Sequence, residues 1–173
     1  RERIAYVPQR ESVDWDFPAS VFDVVMMGRY RKHNLFRRSN KLDIEIVNQS
    51  IEKVGLSEFK NRQIAQLSGG QQQRVFIARA LAQKSDIYLM DEPFVGVDAA
   101  TESSILNLLQ EMKSEGKTVL IIHHDLQTVS DYFDYLVLLN TRLIAKGTPH
   151  EVLTKENLSN AYGGQLTLLA KVA

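Results

Sequence analysis

Ser68, Gly69, Gly70 and Gln71 run straight into Gln72-Gln73-Arg74 and then into Val75-Phe76-Ile77-Ala78-Arg79-Ala80-Leu81-Ala82, a strong helix pattern. Serine is a good N-cap, and glycines let a backbone approach a ligand closely. Such a segment makes a helix N-terminus with bare N–H groups and a partial positive charge, which is a natural anion site. Taken alone it could equally be a capped helix after a Gly-Gly turn. Downstream, the apolar run Ile87-Tyr88-Leu89-Met90 ends in Asp91-Glu92-Pro93. A strand tipped by two carboxylates could be a solvated turn, but beside an anion site it suits Mg²⁺ and a nucleotide. Two further stretches place polar groups at strand ends: Gln9 after Ile4-Ala5-Tyr6-Val7-Pro8, and His123-His124-Asp125 after Thr118-Val119-Leu120-Ile121-Ile122.

These groups need elements to hold them. Ile4 to Val7 reads as a short strand that Pro8 ends, since proline cannot donate to a ladder. Ser20 is placed to cap a helix over Val21 to Met27, with Gly28 at its end. Asp43 to Val54 repeats Ile44, Val47, Ile51 and Val54 at steps of three and four, a helix that Gly55 closes. From Ser85 the rhythm becomes strand–helix alternation, which favours a parallel α/β sheet. The sequence predicts a strand over Ile87–Met90, a helix over Ala99–Met112 and a strand over Thr118–Ile122. A helix around Leu126–Asp131 follows, then strands over Tyr135–Leu139 and about Leu143–Ala145 joined at Asn140-Thr141. His123 and His124, read as strand-like, should point to opposite faces. A metal site from His123, His124 and Asp125 is the weaker reading, because one strand end rarely aims three neighbours at one ion.

Composition narrows the field. The chain has 173 residues, enough for a sizeable core. Its formal net charge is zero, so nothing argues for a nucleic-acid partner. It has no cysteine, which excludes disulfides and thiolate metal sites. No apolar run approaches the roughly 20 residues of a membrane span, so any membrane link comes through a partner. The basic run Arg29 to Arg38 is either a solvated face or a surface for a membrane partner or anionic lipid. Arg1 is not methionine and the chain starts at once on a strand, so a piece of a longer protein is expected.

The stretches Leu67-Ser68-Gly69-Gly70-Gln71, Leu89-Met90-Asp91-Glu92-Pro93, Val97-Asp98 and His124, preceded by Gln9, resemble in their order the ATP-binding subunit of an ABC transporter. The likeness runs over nearly the whole chain. It implies an α/β fold with a P-loop NTPase, RecA-like core, incomplete at its N-terminus, and an inserted helical subdomain. The expected division is core strand and glutamine loop over 1–10, helical subdomain over 11–83, and core with C-terminal helices over 84–173. It implies ATP and Mg²⁺ as cofactors. Asp91 would hold Mg²⁺, with help from Gln9. Glu92 would polarise the attacking water, with Gln9 and His124 near the terminal phosphate. Ser68, Gly69, Gly70 and Gln71 would cap the ATP of an opposite subunit, and Asp98 would help join the two sites.

The resemblance also implies partners: a homodimer or paired ABC subunit, transmembrane permease subunits, a periplasmic or extracellular solute-binding protein indirectly, and no nucleic acid. The expected place is the cytoplasmic face of the cell membrane. Asp14-Trp15-Asp16-Phe17-Pro18 and the wording Asp91 to Thr101 look most like importers of manganese, zinc or iron. Siderophore or cobalamin importers, and soluble ABC ATPases of DNA repair or translation, are the alternatives. Val95-Gly96-Val97-Asp98 departs from the commoner Ser-Ala-Leu-Asp, so position 95 lacks the usual hydroxyl. The family's Gly-x-x-x-x-Gly-Lys-Ser/Thr loop is not in this sequence. Gly116-Lys117-Thr118 has Glu111 where the first glycine belongs and runs from helix to strand. As given, the chain is therefore expected to be inactive alone.

Overall fold

The computed structural model describes residues 3–30 and 40–163. The chain forms two compact units, Arg1–Ile122 and His123–Ala173.

In the first unit, β1 (Ile4–Val7), β2 (Ile87–Asp91) and β3 (Thr118–Ile122) form a parallel sheet in the order β1-β2-β3. Val7 stands opposite Met90, and Met90 opposite Ile121, so all three strands end together. Ala5, Val7, Tyr88 and Met90 point to a buried face. The other face shows Ile4, Tyr6, Leu120 and Ile122, each at least half exposed. Parallel sheets are normally covered on both sides, which is why these strands are apolar on both.

The long helix α3 (Gly69–Ala82) packs against β1, α1 (Val21–Met27) and α2 (Lys41–Lys53), while α4 (Ala99–Ser114) lies on β3. Val75, Phe76, Ile77, Ala78, Ala80 and Ala82 are all buried, so α3 is apolar nearly all round and sits at the centre of this unit. Capping boxes start α1 (Ser20 with Asp23), α2 (Asn40 with Asp43) and α3 (Ser68 with Gln71). Helix α2 begins two residues before the expected start, because Asn40 supplies the cap. Its buried residues are Ile46, Val47, Ser50 and Ile51; Ile44 is exposed, on the flank of that stripe. Of the basic run, Arg29 is structural: it pairs with Asp43 at 3.0 Å and donates to the Ala82 carbonyl at the end of α3. Positions 31–39 lie outside the described residues.

The second unit joins β4 (Leu136–Asn140) and β5 (Arg142–Gly147) as an antiparallel pair, with α7 (Lys155–Tyr162) and the single turn α6 (Pro149–Val152) packed on them. The helix expected around Leu126–Asp131 is the single turn α5 (Val129–Tyr132), because Asp125 binds the Gln127 amide and holds 126–128 as a turn. Thr141 makes the hairpin turn at φ 52°. A β-branched residue there is strained, whereas asparagine tolerates that region. Thr141→Asn should therefore raise stability by about 0.5–1 kcal/mol. Urea titration checks this, and an unchanged or lower midpoint would contradict it. No described helix is long and apolar enough to cross a membrane.

Candidate functional site

Adjacent parallel strands that end together bring their following residues together, and in such sheets ligands bind beyond the carboxyl ends. Gln9 follows β1, and Asp91 and Glu92 lie at the end of β2. The Gln9 amide donates to Glu92 Oε2 at 2.8 Å. Asp91, last in β2, is half-buried and stands opposite Ile122 of β3. The Glu92 amide donates to the Ile122 carbonyl at 3.1 Å, which fixes the turn after β2 to β3. Glu92 itself has φ 46°, in the left-handed region that glycine favours. A non-glycine residue there stores strain, a known mark of functional positions. Two carboxylates and a carboxamide provide hard oxygen donors of the kind Mg²⁺ takes with phosphate oxygens.

The tip of α3 is the second component. Ser68 is exposed, Gly69 half-exposed and Gly70 buried. Ser68 Oγ accepts from the Gln71 amide at 3.3 Å, and Gln71 Oε1 accepts from the Ser68 amide at 2.9 Å. A side chain at Gly70 would come within 3.1 Å of Thr101 Oγ1, so this tip touches the first turn of α4. Asp98 caps α4, accepting from the Thr101 amide at 2.9 Å and the Thr101 hydroxyl at 3.1 Å. Those two bonds, the amide first, hold its carboxyl below the usual carboxylate value. The exposed Ser68 and the exposed Asp98 thus belong to helix starts that touch each other.

Sequence reasoning missed the residue joining these components. Arg10, directly after Gln9, donates from Nε to Gln72 Oε1 at 3.1 Å. Its guanidinium carbon would lie 3.2 Å from a side chain placed at Gly69. Trp15 donates to the Arg10 carbonyl at 2.9 Å and packs edge-on against Phe76, with centroids 5.1 Å apart. Only the adjacency of Arg10 to Gln9 could have pointed to it. Gly96, the departure from the commoner wording, has φ 71° and so suits glycine.

His124 belongs to the second unit and is exposed. His123 is half-buried, with Nε2 2.9 Å from Thr128 Oγ1 and its ring 5.5 Å from that of Phe133. The two histidine rings lie 6.1 Å apart and tilted by 36°. Strand geometry ends at Ile122, so the alternation expected to send them to opposite faces no longer applies. Among the described residues, no cluster of three or more His, Asp or Glu side chains could hold a metal ion.

The chain matches the ABC transporter family model over residues 1–95. It is 60% identical over 169 residues to the manganese transport system ATP-binding protein of Bacillus subtilis, covering 98% of this chain and 68% of that protein. It is 55% identical over 167 residues to the zinc transport system ATP-binding protein of Treponema pallidum, covering 96% of this chain and 63% of that protein. Among solved structures, it superposes at a TM-score of 0.83 and 31% identity on a metal-chelate type ABC transporter in an inward-facing conformation, covering 93% of this chain and 64% of that one. The chain spans about two thirds of the length of these relatives. The α/β fold expected from the strand–helix alternation is thereby that of the ATPase domains of these transporters. On its sequence, its fold and the family match over more than half its length, the chain belongs to the ABC transporter family.

Proposed function

We propose that this chain is the larger part of an ATP-hydrolysing subunit that drives import of a metal ion through a membrane permease, with manganese or zinc as cargo. The observation that carries the hydrolytic reading is the 2.8 Å bond between Gln9 and Glu92 at the ends of neighbouring parallel strands, beside Asp91. Glu92 is the base that orients and polarises the attacking water. Gln9 holds the Glu92 carboxylate from the other side. Asp91 and the Gln9 carboxamide oxygen would hold Mg²⁺, which would offset the charge developing on the transferred phosphate. His124 would donate a hydrogen bond to the terminal phosphate, since imidazole can both donate and accept.

Ser68, Gly69, Gly70 and Gln71 serve a phosphate that this subunit's own strands do not hold. The exposed tip of α3, with its N-terminal amides, supports that reading. A symmetric pair of subunits would place each tip on the other's ATP, with Asp98 at the seam. The helical stretch 11–83 would carry the closing motion to the permease, and the 84–173 stretch would complete the core. The cytoplasmic membrane surface is then its place. Manganese and zinc come from the named relatives at 60% and 55% identity.

No phosphate-binding loop lies within the 173 residues, so the isolated chain is expected to bind ATP weakly and hydrolyse none. Titration of the isolated chain with ATP and Mg²⁺ checks this; micromolar affinity would overturn it. Affinity purification of the full-length subunit tests the partner. A multi-span membrane protein is expected, and ribosomes or DNA in its place would overturn the transport reading.

A further inference from the structure

We propose that Arg10 is a positioning residue that ties the Gln9–Glu92 pair to the tip of α3, so that the hydrolytic pair and the phosphate-capping tip hold one geometry. The proposal rests on the functional reading above and adds a residue to it. Gln9 and Arg10 are neighbours with opposite attachments. Gln9 reaches Glu92 at 2.8 Å, while Arg10 Nε reaches Gln72 Oε1 at 3.1 Å. Gln72 is 5% exposed, and its amide also donates to the Ile64 carbonyl at 3.2 Å. The far end of the strap is therefore fixed inside the protein.

The backbone is held as well, by the Trp15 indole on the Arg10 carbonyl at 2.9 Å. The rest of the guanidinium lies along two glycines. A side chain at Gly69 would sit 3.2 Å from Cζ, and one at Gly96 would sit 3.8 Å from the nearer terminal nitrogen. Arg10 thus touches the α3 tip and the turn before Asp98 at once. Helix stability does not explain a cation there, because the α3 N-terminus carries partial positive charge and repels it. A planar fork that donates at a fixed angle while its face packs on glycine does explain it. Lysine offers the charge without that geometry.

The test uses the full-length subunit, phosphate loop included, with Arg10→Lys and Arg10→Met. ATP turnover at saturation, nucleotide affinity of the subunit's own site and thermal midpoint are measured together. Both variants should lose about tenfold in kcat, the scale on which slight misplacement of a catalytic group acts. Nucleotide affinity should stay within about twofold, because the strap acts on the geometry of the hydrolytic pair and the α3 tip rather than by holding nucleotide. Wild-type turnover in both variants would overturn the proposal. So would wild-type turnover in Arg10→Lys alone, which would mean that only charge matters. Turnover, affinity and midpoint falling together would mark Arg10 as merely structural and overturn it too. Wild-type turnover that is insensitive to Glu92→Gln would refute the hydrolytic reading and leave the fault there rather than with Arg10.

Discussion

Replacing Glu92 by glutamine in the full-length subunit should lower ATP turnover by about 10²- to 10⁴-fold, the usual worth of a positioned general base. The substitution removes the basic oxygen and keeps the shape. An acceptor oxygen remains for Gln9, whose amide lies 2.8 Å from Glu92 Oε2. Nucleotide binding and folding should therefore be retained, and loss of turnover should appear in kcat and kcat/KM alike. Glu92→Gly sharpens the test, because the residue holds φ 46°. A left-handed conformation costs a side-chain-bearing residue about 1–2 kcal/mol, and glycine avoids that cost. After allowance for glycine's greater freedom in the unfolded chain, a gain of up to about 1 kcal/mol is expected along with loss of hydrolysis. A variant that is more stable and inactive is what a strained catalytic position gives. Unchanged turnover in Glu92→Gln would remove Glu92 from the chemistry, and a clear loss of stability in Glu92→Gly would remove the strain argument.

Gly28→Ala should be among the most damaging single substitutions in the first unit. An added methyl there would stand 2.3 Å from the Arg79 carbonyl oxygen and 3.3 Å from Ala82 Cβ. The obstacle is backbone in the last turn of α3, so it cannot swing aside. Overpacking of this kind costs about 1–3 kcal/mol or more, with α1 forced off α3. For a chain of this size, that lowers the melting midpoint by about 3–10 °C. Gly116→Ala is the useful contrast. Nothing lies within 4 Å of an added methyl there, but φ is 74°, so its cost is conformational and about 1 kcal/mol. Circular dichroism melts of the two variants separate the mechanisms. Gly28→Ala with a wild-type midpoint would mean that α1 and α3 do not cross this closely.

That glycine shows where reading a sequence stops. The pattern placed Gly28 at the end of α1, and it is there, as C-cap. A glycine at a helix end often serves a left-handed turn, but this one does not. Its φ is −62°, open to any residue, and the need for glycine comes from a helix far along the chain. Ile44 illustrates the same limit: its spacing from Val47 and Ile51 fits a buried stripe, yet it is exposed because α3 covers the neighbouring arc. Local signals did better. Ser20 and Ser68 cap the helices they were placed before, since capping depends on residues within one turn.

By itself the sequence determined the elements, their order and the residue types able to do chemistry. Period, caps and glycine or proline punctuation act over a few residues, so one chain suffices to read them. It also determined that two carboxylates follow an apolar strand and that a glycine-softened helix start follows a serine. Tertiary structure alone decided that Gln9 meets Glu92 across 83 positions of sequence and that Arg10 reaches Gln72 across 62. It alone decided that Gly70 abuts Thr101 and that Gly28 abuts Arg79. Contacts of that range depend on strand register and helix crossing, which follow from how whole faces pack and leave no local trace.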